Sequence, residues 1–212
     1  MRRSVIFLIL VLAHCSAFAQ VRFDADFESG SLGRVELLDS VRVVVAPGDT
    51  VLHLSYLVSG HFDPDNPVDT SLAPSANWYY FRMTGVKDKQ IYLTMPDYGV
   101  PRTSCSYDGI HWEHLPMAES QAHSLDKRFT QDTVFLALYN PYTYSYLQDR
   151  LETWCARPDV TLDTIGFSHE GRPLQLLHIT DPSVPEGEKA RIWVHGRIHP
   201  SETPASYLVD GL

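Results

Sequence analysis

Hydrophobic residues between Val21 and about Asn140 fall into short runs separated by turn-forming residues. Val41-Arg-Val-Val-Val45 and Val51-Leu-His-Leu-Ser-Tyr56 flank Ala46-Pro-Gly-Asp-Thr50, which predicts a hairpin with Pro and Gly in its loop. Phe62-Asp-Pro-Asp-Asn-Pro-Val68 is a loop, because two prolines cannot sit in a central strand. Further strands are predicted at Trp78–Met83, Ile91–Met95, Ser104–Tyr107, Ile110–Trp112 and Val134–Tyr139, with Asp108-Gly109 as a tight turn joining the third and fourth of these. Many short strands at this spacing point to an antiparallel β-sandwich.

The pattern changes period after Asn140. Ser145 and Gln148 have capping-box spacing, and Leu147, Leu151 and Trp154 recur as on one helix face, so a helix is expected from about Tyr146 to Cys155. Arg157-Pro158-Asp159 ends it. Two β-rich runs follow, Pro173–Thr180 and Ala190–His195, and then Thr203-Pro204 opens a helix with Ala205, Leu208, Val209 and Leu212 on one face. Residues 20–157 therefore read as a sandwich domain with a C-terminal helix. Residues 158–212 read as the start of an α/β domain, too short to cover buried parallel strands, in a sequence that is a piece of a longer protein.

The leader differs from everything after it. Arg2 and Arg3 precede the apolar run Val5–Leu12, and Ala17-Phe18-Ala19 comes before Gln20. This order predicts a signal peptide, residues 1–19, with cleavage after Ala19 and a periplasmic or secreted product. The run falls short of the roughly 20 apolar residues of a bilayer span, so no transmembrane segment is expected. Lipoprotein processing at Cys15 is the weaker alternative, since bulky His14 precedes it. In an oxidising compartment Cys105 and Cys155 could form a disulfide or remain buried free thiols; neither has neighbours suited to a nucleophile.

Over 212 residues, 17 Lys and Arg stand against 26 Asp and Glu, a net charge of −9. No basic patch is visible, which argues against nucleic acid or an anionic membrane as partner. The composition is that of a globular protein and excludes collagen-like, coiled-coil and disulfide-dense classes. Oligomeric state is not readable.

Candidate chemistry lies in Val194-His-Gly-Arg-Ile-His-Pro-Ser-Glu202-Thr-Pro. His199 and Glu202, two residues apart between a strand and a helix start, are zinc-ligand types that leave room for a third ligand and a water. The spacing alone is common, and a solvated turn is its ordinary meaning. His195 is set aside as a further ligand, because strand positions four apart lie about 13 Å from each other. His111 and His114 have metal-like spacing but would face opposite sides of a strand. Arg172 reads as structural.

Ile165-Gly-Phe-Ser-His-Glu-Gly-Arg-Pro-Leu-Gln-Leu-Leu-His-Ile179 followed by His199-Pro-Ser-Glu202 resembles the opening of the zinc carboxypeptidases of the carboxypeptidase A type. Trp78–Gly85, Tyr107–Trp112 and Tyr139–Leu147 are similar to the β-sandwich of the cytosolic-carboxypeptidase branch. The resemblance implies a zinc exopeptidase acting on peptide or protein C-termini, with Zn2+ held by His199, Glu202 and a later His. A general-base Glu and a carboxylate-binding Arg are then expected beyond Leu212. Ser201 departs from the glycine usual in that branch. The rival reading is a secreted, non-catalytic sandwich module carrying a carboxypeptidase remnant, in which Trp78–Phe81 and the Tyr139–Tyr146 cluster form a glycan platform; packing is the commoner use of such rings.

Overall fold

The structure is a computed structural model that describes residues 20–99 and 102–212. Twelve strands and two α-helices are present among these residues: β1 (Arg22–Asp24), β2 (Val35–Ala46), β3 (Asp49–Val58), β4 (Tyr80–Thr84), β5 (Gln90–Thr94), β6 (Ser104–Ser106), β7 (Glu113–His114), β8 (Ser120–Gln121), β9 (Ser124–Arg128), β10 (Thr133–Ala137), α1 (Tyr144–Cys155), β11 (Val160–Phe167), β12 (Pro173–Ile179) and α2 (Thr203–Asp210). One five-stranded sheet has the order β1-β4-β10-β6-β7, another the order β2-β3-β5-β9-β8, and β11 pairs only with β12.

Alternation along the strands builds the core. Leu54, Tyr56 and Val58 of β3, Ile91 and Leu93 of β5 and Leu125 of β9 are buried from one sheet; Phe81 and Met83 of β4 and Val134 and Leu136 of β10 are buried from the other. All ten belong to a single apolar cluster. Met83 lies opposite Val134 and Phe81 opposite Leu136, so two-residue periodicity sends both pairs to the same face. The expected hairpin forms between β2 and β3, where Gly48 takes a left-handed φ of 81° that the turn requires.

Several expectations are corrected. The second sheet is mixed rather than antiparallel, because β3 and β5 run parallel, connected through residues 59–89. Asp108-Gly109 does not close a two-residue turn. Residues 107–112 form a loop held by the Asp108 carboxylate, which accepts from the backbone N–H groups of Ile110 and His111, both at 2.8 Å. Helix α1 begins two residues early and is capped by Thr143, whose hydroxyl accepts from the Tyr146 N–H at 3.1 Å; the Gln148 amide nitrogen is instead buried without a partner. Residues 190–195 form no strand and are exposed, with Ile192 at 88%. A strand exists only through its ladder, and no described strand lies beside this segment. Strand β11 is unexpected, its apolar alternation being broken by a bulge between Thr164 and Gly166; it pairs with β12.

Candidate metal turn

Four features shape the turn between residue 196 and α2. Arg197 has a left-handed φ of 59°. A Cβ on Gly196 would lie 3.1 Å from the Ala205 carbonyl oxygen, so a side chain there would push the chain and α2 apart by a few tenths of an ångström. The Glu202 N–H donates to the His199 carbonyl at 3.1 Å, and Pro204 sits in the first helical turn with its fixed φ.

That i to i+3 hydrogen bond folds the turn so that His199 Nδ1 and Glu202 Oε1 meet at 3.0 Å. Both side chains are open to solvent, at 72% and 53% exposure, and so are available to an incoming ion. Two ligands of a tetrahedral zinc at roughly 2.0–2.1 Å are separated by about 3.3 Å, so a nitrogen and an oxygen already this close fit two corners of such a site. Among the described residues no group of three or more His, Cys, Asp and Glu converges. His195 is exposed in the irregular segment and joins nothing. His111 Nδ1 pairs with Asp108 at 2.7 Å, and its hydrogen bond, followed by those from the backbone, holds the Asp108 carboxyl well below the usual range. His114 Nδ1 lies 3.3 Å from the Ser104 hydroxyl. Arg172 pairs with Glu170 and sits over the Tyr144 ring.

Sequence reasoning missed the residues that hold this turn in place. The half-buried Arg197 guanidinium donates to the Tyr142 carbonyl at 2.9 Å and to the Pro200 carbonyl; burial lowers its pKa. Arg150 of α1 grips Asp210 at the end of α2 through contacts of 2.7, 2.8 and 3.1 Å. The Tyr207 hydroxyl donates to the Pro141 carbonyl at 2.8 Å. Rings of Tyr142, Tyr146 and Tyr207 meet edge-on and tilted at 4.9, 5.0 and 6.2 Å between centroids. These tyrosines fill a junction rather than a glycan platform. In the other aromatic run, Tyr79 and Phe81 are core and Tyr80 packs edge-on to Trp112. A cleft of about 290 Å³ lies beside the turn, lined by Ser29, Trp78, Tyr142, Arg197 and Thr203, whose buried hydroxyl has no partner.

Residues 145–211 match the model of the zinc carboxypeptidase family, a family that uses zinc. Human cytosolic carboxypeptidase 6 is 28% identical over 221 residues, covering 90% of this chain and 39% of that protein. Human cytosolic carboxypeptidase 2 is 34% identical over 90 residues, 39% of this chain and 10% of that one. The chain thus spans well under half the length of these relatives. In fold it is similar to a metallo-carboxypeptidase from Burkholderia cenocepacia, with a TM-score of 0.68 at 22% identity over 91% of this chain and 48% of the other. The match supports a hydrolase by family resemblance. The extracytoplasmic location expected from the leader is overturned: relatives matched across 90% of the chain are named cytosolic carboxypeptidases. Residues 1–19, including the expected cleavage site and Cys15, lie outside the described residues. Cys105 and Cys155 are free thiols. No described helix is long and apolar enough to cross a membrane.

Proposed function

We propose that the protein is a zinc metallocarboxypeptidase that hydrolyses C-terminal residues of peptides or proteins, and that His199 and Glu202 are two of its three zinc ligands. The convergence of His199 Nδ1 and Glu202 Oε1 at 3.0 Å, in a solvent-open turn at the start of α2, carries this reading. In this proposal residues 20–157 form a β-sandwich domain ending in α1, supported by two five-stranded sheets that share one core. Residues 158–212 open the catalytic domain. The names of the relatives favour a cytoplasmic setting.

Bound zinc supplies Lewis-acid polarisation of the scissile carbonyl and brings the pKa of a coordinated water to about 7. The chain's own part is to present a neutral imidazole nitrogen and an anionic carboxylate at a fixed spacing. Glu202 offsets one of the metal's two charges, and the His199–Glu202 hydrogen bond keeps both side chains in place before the ion arrives. A third ligand, the base and the carboxylate anchor are the family elements expected beyond Leu212.

The test is metal analysis and C-terminal trimming, measured in parallel on the full-length protein. His199→Ala and Glu202→Ala should each lose zinc and turnover together. Variants that keep one zinc per chain and normal turnover would refute the assignment.

A further inference from the structure

Zinc ligands on an exposed turn need something to hold the turn, and here that support comes from a distant part of the sequence. Arg197 stands two residues before His199 in a left-handed conformation that is costly for a non-glycine residue and persists only where its surroundings enforce it. Its guanidinium bonds two main-chain carbonyls, one inside the turn at Pro200 and one 55 residues upstream at Tyr142. A planar fork with several N–H donors can satisfy both carbonyls at once, which a single ammonium does less well. Tyr207 repeats the connection one turn into α2, reaching the Pro141 carbonyl next door. The two bonds therefore join adjacent carbonyls at the start of the Pro141–Thr143 segment to opposite ends of the element that carries His199 and Glu202.

We infer that the Pro141–Tyr142 segment is a scaffold for the metal turn and that Arg197 is its positioning residue, fixing the His199–Glu202 geometry through the Tyr142 and Pro200 carbonyls. The inference rests on the proposed zinc site for its consequence, and the clamp itself is independent of metal. Residues outside the ligand set that orient metal ligands typically change affinity 10–100-fold when removed, and an effect in that range is expected here.

The experiment uses the full-length protein as wild type, Arg197→Ala, Arg197→Lys and Tyr207→Phe. Hydrogen exchange is followed without metal at the Glu202, Thr203 and Ala205 amides, which are all bonded within the turn and the first turn of α2. Zinc affinity is measured by competition with a chromophoric chelator, and global stability by urea. Arg197→Ala should speed exchange at these amides at least tenfold and weaken zinc 10–100-fold, with the urea midpoint of the core unchanged. Arg197→Lys should recover part of both losses. Tyr207→Phe, which removes one hydroxyl and cannot threaten folding, should show the same changes on a smaller scale. Unaltered exchange in both Arg197→Ala and Tyr207→Phe overturns the clamp, whatever zinc does. Faster exchange in a protein whose wild type binds no zinc upholds the clamp and refutes the zinc reading instead.

Discussion

The two five-stranded sheets are linked by a buried polar knot whose strength can be worked out bond by bond. Thr103 Oγ1 lies 3.0 Å from the Tyr79 hydroxyl and accepts from the Ser120 hydroxyl at 3.0 Å, while the Thr103 N–H donates back to Ser120 Oγ at 2.9 Å. Tyr79 and Thr103 are each 1% exposed and Ser120 is fully buried, so water cannot replace a lost partner. Thr103→Val keeps the shape and the backbone bond but strands the Tyr79 hydroxyl and the proton of Ser120. Stranding a buried hydroxyl costs about 1–3 kcal/mol, so two of them put this variant at roughly 2–6 kcal/mol. Tyr79→Phe removes a hydroxyl and leaves Thr103 still bonded to Ser120, for about 1 kcal/mol. The double variant strands only Ser120, and its loss should fall short of the sum of the singles by at least about 1 kcal/mol. Urea unfolding followed by tryptophan fluorescence measures all three. Strict additivity, or a Thr103→Val loss below about 0.5 kcal/mol, would show that the knot is not a unit.

Three further outcomes are expected. Burial pushes the Cys105 thiol up to about 12, whereas Cys155 is exposed; iodoacetamide at pH 8 should label Cys155 and reach Cys105 only after denaturation, as peptide mapping will show. Because the folded pKa of Cys105 is raised from 9.0, its contribution is complete below pH 9 and is lost as pH climbs towards 12. Buried Tyr79, shifted upwards chiefly by desolvation, adds to the loss above pH 10. Stability should thus fall by about 2 kcal/mol from the thiol alone between pH 7 and 10.5, and Cys105→Ala should flatten that part of the slope. Asp210→Asn leaves Arg150 without its anion; for a pair in which only Asp210 is well buried, about 1–3 kcal/mol of helix docking should be lost. Faster exchange confined to α2 is the readout, and unchanged exchange there would refute the latch.

Local chemistry was legible in the sequence and non-local pairing was not. Pro47-Gly48 marks a turn by backbone preference alone, and the apolar alternation of Ile91 and Leu93 or Val134 and Leu136 marks strands by burial on one face. Nothing in Leu54 or Ile91 says that their strands will lie side by side and parallel, because that choice depends on the whole sheet. Ile192, Trp193 and Val194 have strand propensity but no ladder, so the expected strand is absent. Val160–Phe167 alternates apolar and polar residues up to a bulge near Ile165 that breaks the period, and its pairing with β12 makes it a strand. His199 and Glu202 were readable because one short turn brings them together. Arg197 was not, since its acceptor is a main-chain carbonyl 55 residues away that carries no side-chain signature.

The distribution of apolar exposure explains why that remote support matters. Most buried apolar side chains between Val21 and Leu138 merge into one cluster, while Leu162, Ile165, Phe167, Ile179, Ile192 and Leu208 are 46–88% exposed. A lone pair of strands such as β11 and β12 is marginal in water, and so is a helix of eight residues such as α2. Helix α2 therefore cannot hold the His199–Glu202 turn by its own cooperativity. Its order derives from the Arg150–Asp210 pair, the tyrosine junction and the bonds to Pro141 and Tyr142, all of which lead back to α1 or the segment that caps it. Within this chain, opening these few contacts separates His199 and Glu202 from their support without disturbing the core, so the local stability of their turn is set well below that of the two sheets.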